Sequence, residues 1–283
     1  MMEVVETIQS VRDIVKAARQ KGKKVGLVPT MGALHRGHIS LIEAAGRTCD
    51  FVVVSIFVNP TQFGPGEDFK KYPRTLEADL EICRKAGVGL VFAPGAEQMY
   101  GKEELTWVTV EKLTEPLCGR FRPGHFRGVA TVCAKLFNIV LPDVAFFGQK
   151  DGQQGLVIKR MAADLKMPLE IVVCPTVREP DGLAVSSRNK YLTEEERKDS
   201  ALIYKSLEKC REMIESGTRD TETIVAAMRE VLSRAPSIQI QYVSIVDAET
   251  LQSLDKVHGR VLAAVAAQLG KARLIDNIVV DAG

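Results

Sequence analysis

Short apolar runs alternate with amphipathic helical stretches over the first two thirds of the chain, and this alternation limits the fold more than any other feature. Residues 25–28, 51–58, 90–93, 144–147 and 169–174 read as strands that are apolar on both faces. Such strands need cover on both sides. Between them, residues 10–21 place Val11, Ile14, Val15 and Ala18 on one helical face, with Ser10 as the cap and Gly22 as the stop. Further helices are expected near 38–48, from a Thr75 cap to Gly87, and over 128–140 and 152–166, and residues 105–110 read as another strand. Repeated strand–helix–strand units predict an α/β fold with a Rossmann-like, doubly wound parallel sheet.

The pattern changes after Ser186-Ser187-Arg188. Thr193 and Glu196 have capping-box spacing and open a helix to about residue 215, followed by a helix near 221–234. Strand-like segments then lie near 238–247, 259–267 and 272–281, with hardly any helix between them. The expected organisation is therefore a nucleotide-binding domain over residues 1–176 and a smaller α+β domain over 177–283. No internal repeat or low-complexity segment is present.

Composition narrows the function. With 46% hydrophobic residues, 26% charged residues and a net charge of +2, the chain is ordinary globular material without a global basic field for nucleic acid. Its six cysteines are scattered, with no Cys-x-x-Cys spacing, and read as reduced core residues of a cytoplasmic protein. The N-terminus lacks the order of a signal peptide, and the strongest apolar run, 51–58, is far short of the ~20 residues that span a bilayer, so no membrane partner is expected.

The strongest local signal is Thr30-Met31-Gly32-Ala33-Leu34-His35-Arg36-Gly37-His38, directly after a buried strand and at a helix start. Glycines let the backbone approach a ligand, a helix N-terminus directs N–H groups at phosphate, and two imidazoles add donors where charge grows. In isolation, His-x-Gly-His reads better as one capping and one packed histidine. Its strand–turn–helix setting favours function. Asn59-Pro60-Thr61-Gln62-Phe63 and Gly148-Gln149-Lys150-Asp151-Gly152-Gln153-Gln154 also follow strands, at the sheet edge where parallel sheets bind ligands. Asn-Pro alone reads slightly better as plain turn chemistry, and Lys150 with Asp151 equally as a surface pair. Residues 177–189, with Ser186, Ser187 and Arg188, are a phosphate-binding set or a solvated linker. Arg120, Arg122, His125 and Arg127, interleaved with Phe121 and Phe126, offer an RNA contact, which the near-neutral balance makes the minority reading. Asp79 is a candidate Mg²⁺ contact but reads better as a solvated helix carboxylate.

Together and in this order, these motifs resemble the pantoate–β-alanine ligase family over nearly the whole chain, with Tyr72-Pro73-Arg74-Thr75 and Arg122-Pro123-Gly124-His125-Phe126-Arg127-Gly128-Val129 adding to the match. His-x-Gly-His alone occurs in many nucleotidyltransferases; the combined set is far more specific. The resemblance implies ATP, Mg²⁺, pantoate and β-alanine as ligands, a C-terminal domain that acts as a lid, and a homodimer. It places ATP against Met31, Gly32, Ala33, Leu34, His35, Arg36, Gly37 and His38, against Gly148, Gln149, Lys150 and Asp151, and against Val177, Val185, Ser186, Ser187 and Arg188. It places pantoate at Gln62 and Gln154, with Asn59 and Met31 beside them and β-alanine near Gln62. His38 takes the family's proton-donor place, and His35, Lys150, Ser187 and Arg188 would counter phosphate charge. Gln149, Gly152 and Val185 depart from the family's more frequent Glu, aromatic and Met. The implied reaction passes through pantoyl adenylate, so both nucleophiles come from substrates and no Ser or Cys nucleophile is required. A cytidylyltransferase shares His-x-Gly-His but gives no account of Gln62 with Gln154, and an RNA-binding module would carry a stronger basic excess.

Overall fold

The computed structural model describes residues 2–283, which divide into two compact units. The first contains the chain up to Thr114, Phe121–Gly148 and Gln153–Pro175; the second contains Glu115–Arg120, Gln149–Gly152 and Thr176–Gly283.

The first unit is built on six strands, β1 (Glu3–Val5), β2 (Val25–Thr30), β3 (Phe51–Ile56), β4 (Leu90–Phe92), β5 (Val144–Gly148) and β6 (Glu170–Cys174). They form one parallel sheet in the order β1-β4-β3-β2-β5-β6. Chain order runs outward from β2 through β3 and β4, then restarts at β5 on the other side. The β2/β5 boundary is therefore the topological switch point, the place where open parallel sheets form their ligand crevice. Register pairs Val25 with Phe51 and Gly26 with Val144. Helices α1 (Ile8–Gln20), α2 (Arg36–Thr48) and α3 (Leu76–Lys85), with the long helix His125–Val140, bury the sheet because their apolar positions recur at helical spacing. Leu41, Ile42 and Ala45 of α2 pack with Val28, Val54 and Phe146 of the sheet. Ile42 is 1% exposed, so truncating it to alanine would cost about 2–5 kcal/mol.

In the second unit β7 (Ile238–Asp247), β8 (Arg260–Leu269) and β9 (Ala272–Asp281) form an antiparallel meander. Gly270, at φ +51°, makes the tight turn between β8 and β9. Ile203, Leu207 and Cys210 of the helix Ala201–Glu215 and Ile224 and Met228 of the helix Thr221–Ser233 pack against Val261, Ala263 and Val265 of β8.

Several details differ from the sequence expectation. Thr7, not Ser10, caps α1 by accepting the Ser10 N–H. Residues 105–110 form no strand; Leu105 is 88% exposed and Val108 N–H donates to the Thr131 hydroxyl instead of to a ladder. β1 is an unexpected three-residue edge strand. The helix expected from Thr193 has its capping box but divides into Glu194–Asp199 and Ala201–Glu215. All six cysteines are free and buried. Among the described residues, no helix is long and apolar enough to cross a membrane.

Candidate active site

The turn between β2 and α2 is held by contacts that its sequence alone does not reveal. Gly32 takes φ +80° and Ala33 φ +51°. A Cβ on Gly32 would lie 3.0 Å from Asp79 Oδ2 and 3.1 Å from Ile56 Cγ2, so glycine is required both by conformation and by space. Asp79 is 1% exposed. Its carboxylate accepts the N–H groups of Ala33 (3.0 Å) and Leu34 (2.8 Å) and the Thr75 hydroxyl (3.2 Å). The expectation of a solvated carboxylate is corrected: the side chain is buried, and both oxygens take part in fixing the turn.

His35 is the N-cap of α2, its Nδ1 accepting the Gly37 N–H at 3.2 Å. His38 closes the capping box, its Nδ1 accepting the His35 N–H at 3.3 Å. A nitrogen that accepts cannot carry the proton, so the network assigns the Nε2–H tautomer to both neutral rings. The rings lie with centroids 4.0 Å apart. Two Nε2–H donors thus stand at the start of a helix whose N–H groups and dipole favour an anion.

β3 ends close by in the turn Pro60–Gln62. Asn59 is 1% exposed. Its Nδ2 donates to Gln62 Oε1 (3.1 Å) and Gly128 O (3.2 Å), and its Oδ1 accepts from Thr61 and from Tyr100 OH at 2.8 Å. Asn59 is therefore a buried support that orients Gln62. Gln62 Nε2 points to Met31 Sδ at 3.1 Å, bringing these two predicted pantoate residues together. The Gln62 carbonyl accepts from His125 Nδ1 (2.8 Å) and Arg122 Nη2 (3.2 Å). Arg122 Nη1 lies 3.0 Å from His125 Nε2, so His125 is the Nδ1–H tautomer. Arg122 also grips Glu67 with two bonds of 2.7 and 2.6 Å. Burial pushes the Glu67 carboxyl up, but the Arg122 hydrogen bonds and charge outweigh it and hold it below its ordinary value. Arg127 stacks over Trp107 at 4.5 Å. The basic stretch thus organises its own unit. Gln154, partly buried, lies in the first turn of the helix Gly152–Asp164 that follows β5, the strand beside β2.

The second unit carries the remaining predicted residues. Gln149–Asp151 form a short 3₁₀ turn in which Lys150 Nζ lies 3.6 Å from Asp151. Residues 177–189 are not a solvated linker. Val185 N–H donates to Val177 O (3.0 Å) and Glu179 N–H to Leu183 O (2.8 Å), making a hairpin whose Leu183, Ala184 and Val185 are buried. Gly182, at φ +91°, turns it against the Tyr204 ring. Ser186 Oγ caps the next turn by accepting the Arg188 N–H at 3.3 Å, and Ser187 is buried. Thr176 Oγ1 and Asn189 Oδ1 are buried oxygens without a hydrogen-bond partner among the described residues. Such atoms are costly unless something polar meets them.

Sequence reasoning missed Tyr100 and Glu67, which support Asn59 and Arg122 in the first unit, and Asn277, which supports the turn Gln149–Asp151 in the second, because each comes from another element. Burial drives the thiols of Cys83 up to about 11 and of Cys133 and Cys210 up to about 12, which removes them as nucleophiles. Among the described residues no group of three or more His, Cys, Asp or Glu side chains is placed to hold a metal ion.

The sequence model of the family described as pantoate-beta-alanine ligase matches residues 3–279. A pantothenate synthetase of Moorella thermoacetica is 56% identical over 280 residues, covering 99% of each chain. One from Thermoanaerobacter pseudethanolicus is 54% identical over 278 residues, covering 98% of each. A crystal structure of pantothenate synthetase from Thermus thermophilus is similar with a TM-score of 0.93 and 47% identity, covering 98% of this chain and 99% of that one. A crystal structure of pantoate-beta-alanine ligase from Francisella tularensis, complexed with beta-gamma ATP and beta-alanine, is similar with a TM-score of 0.82 and 35% identity over 99% of this chain and 98% of that one.

Proposed function

The chain belongs to the pantoate–β-alanine ligase family, and from that premise we propose how its own residues serve the reaction. The protein ligates pantoate to β-alanine with ATP. In the proposed course, a pantoate carboxylate oxygen attacks the α-phosphorus of ATP, and the bond to the pyrophosphate oxygen breaks. The amine of β-alanine, having lost its ammonium proton, then attacks the carbonyl of the pantoyl adenylate; the C–O bond to AMP breaks and the second amine proton passes to solvent.

Neither step needs a protein nucleophile, so the contribution of the chain is positioning and electrostatics. The observation that carries the reading is the paired engagement of Nδ1 on His35 and His38 by backbone N–H groups. With Nδ1 accepting on each ring, Nε2–H is the side of the imidazole that donates to phosphoryl oxygens when ATP binds, with His38 as the proton-donor residue. Gln62 and Gln154 hold pantoate's polar groups, Met31 covers its apolar part, and β-alanine lies near Gln62. From the second unit, Lys150, Ser187 and Arg188 counter phosphate charge, while Val177 and Val185 give an apolar seat for adenine. The unpartnered oxygens Thr176 Oγ1, next to Val177, and Asn189 Oδ1, which follows Arg188, support a polar ligand in that unit. Mg²⁺ would arrive on the phosphates of ATP and would add positive charge there. A homodimer follows from the family resemblance and is read directly by light scattering. The six buried, free thiols support a cytoplasmic setting.

Pyrophosphate release tests the reading: it should require ATP with pantoate, and pantothenate should form on adding β-alanine. Turnover only with CTP and a phospho-alcohol would overturn it. Lys150→Ala should reduce pyrophosphate release by about 10²-fold or more, as for loss of one charge-stabilising donor.

A further inference from the structure

We propose that Asn277 is a positioning residue for Lys150, with Gln149 and Gly152 as parts of the same device; this rests on the reading of Lys150 as a phosphate ligand. Asn277 stands on β9 opposite Ala264 of β8 and is 6% exposed. Its Nδ2 donates to the backbone carbonyls of Gln149 and Lys150, both at 2.9 Å. Its Oδ1 accepts from Gln149 Nε2 at 2.7 Å. One side-chain amide therefore satisfies three groups of the turn Gln149–Asp151. Turning it over would set its oxygen against two carbonyls and its NH₂ against another NH₂, so its orientation has no alternative.

The support is itself anchored. Asn277 N–H donates to Asp276 Oδ1 at 2.8 Å, and Arg178 binds the same carboxylate with bonds of 2.5 and 3.1 Å. Arg178 in turn lies 3.8 Å from the Tyr204 ring centre. β9, paired along its length to β8, thus presents a rigid amide to the backbone that carries Lys150. Gly152 completes the arrangement. A Cβ there would lie 2.8 Å from both Asn277 Oδ1 and Gln149 Nε2, the two atoms of the amide–amide bond. The missing side chain is the condition under which that bond forms.

The test is a double-mutant cycle on the full chain, read as pyrophosphate release at saturating ATP and pantoate. Asn277→Asp keeps the shape but cannot donate to two carbonyls. It should lower the rate about ten- to hundredfold, the range that a misplacement of about 1 Å produces. On a Lys150→Ala background the same change should lower it by less than about twofold, since changes acting through one residue do not add. Equal losses on both backgrounds, or no loss on either, would overturn the proposal. Near wild-type turnover of Lys150→Ala alone would instead overturn the phosphate reading of Lys150, a distinguishable failure. If Asn277→Asp does not fold, Gly152→Ala carries the test. Alanine is the better helix former, and its Cβ meets side-chain atoms of Asn277 and Gln149 and no backbone. Tm should therefore hold while pyrophosphate release falls by about tenfold or more, within the same range. An unchanged rate would overturn the proposal.

Discussion

Asp79 Oδ1 accepts the backbone N–H of Leu34 at 2.8 Å, joining residues 45 positions apart in sequence. With its second oxygen on Ala33, the carboxylate holds the turn that presents the two histidines. Asp79→Asn supplies only one acceptor oxygen, so one buried N–H loses its partner. Destabilisation of about 1–3 kcal/mol is expected in denaturant unfolding. The Mg²⁺ concentration giving half-maximal activity should stay at the wild-type value; a rise would assign the carboxylate to the metal.

His38 has separable structural and chemical duties. His38→Ala should lower adenylation by about 10²–10³, as for a lost transition-state donor. His38→Asn retains an acceptor near the place of Nδ1 and so retains the capping bond to His35. It should preserve most of the thermal stability while remaining slow in pyrophosphate release. Wild-type rates in either variant would remove His38 from the chemistry.

Gly128 should not tolerate even one carbon. A Cβ there would lie 2.3 Å from Thr61 O and 2.7 Å from Gln62 N, which are backbone atoms with little room to yield. Gly128→Ala should cost about 1–3 kcal/mol by overpacking, against the gain of up to about 1 kcal/mol from helix propensity. Because the strain falls on Gln62, KM for pantoate should rise more than KM for ATP in steady-state assays.

The Arg122–Glu67 pair gives a signed pH dependence. The folded carboxyl titrates below its ordinary value. Its stabilising contribution is therefore complete above the unfolded pKa and is lost as pH falls through the folded one. Melting curves should show Glu67→Gln below wild type at neutral pH, with the gap closing on acidification. A gap that widens toward acid would contradict the assignment.

The parallel sheet was legible because β2, β3 and β5 are apolar on both faces, and the meander because β7 to β9 follow one another without helices. The His35–His38 turn was legible because glycine spacing and a helix start coincide. Asp79 was not: a lone acid on a helix reads as solvated unless its partner is known, and the partner is backbone from a distant turn. The packing of Asn59 was hidden for a related reason, since Tyr100 and Gly128, which meet its amide, come from distant elements. The hairpin of residues 177–189 was hidden by its polar composition, because it pairs through backbone while burying only Leu183, Ala184 and Val185.

The six buried thiols make the chain a reporter of its own opening. A native molecule presents no exposed thiol to an alkylating reagent, so labelling should proceed only through opened conformations. Cys49, Cys83, Cys133 and Cys174 lie in the first unit, and Cys118 and Cys210 in the second. Mass mapping of the alkylated sites would consequently time the unfolding of each unit in a single sample, without any probe being introduced.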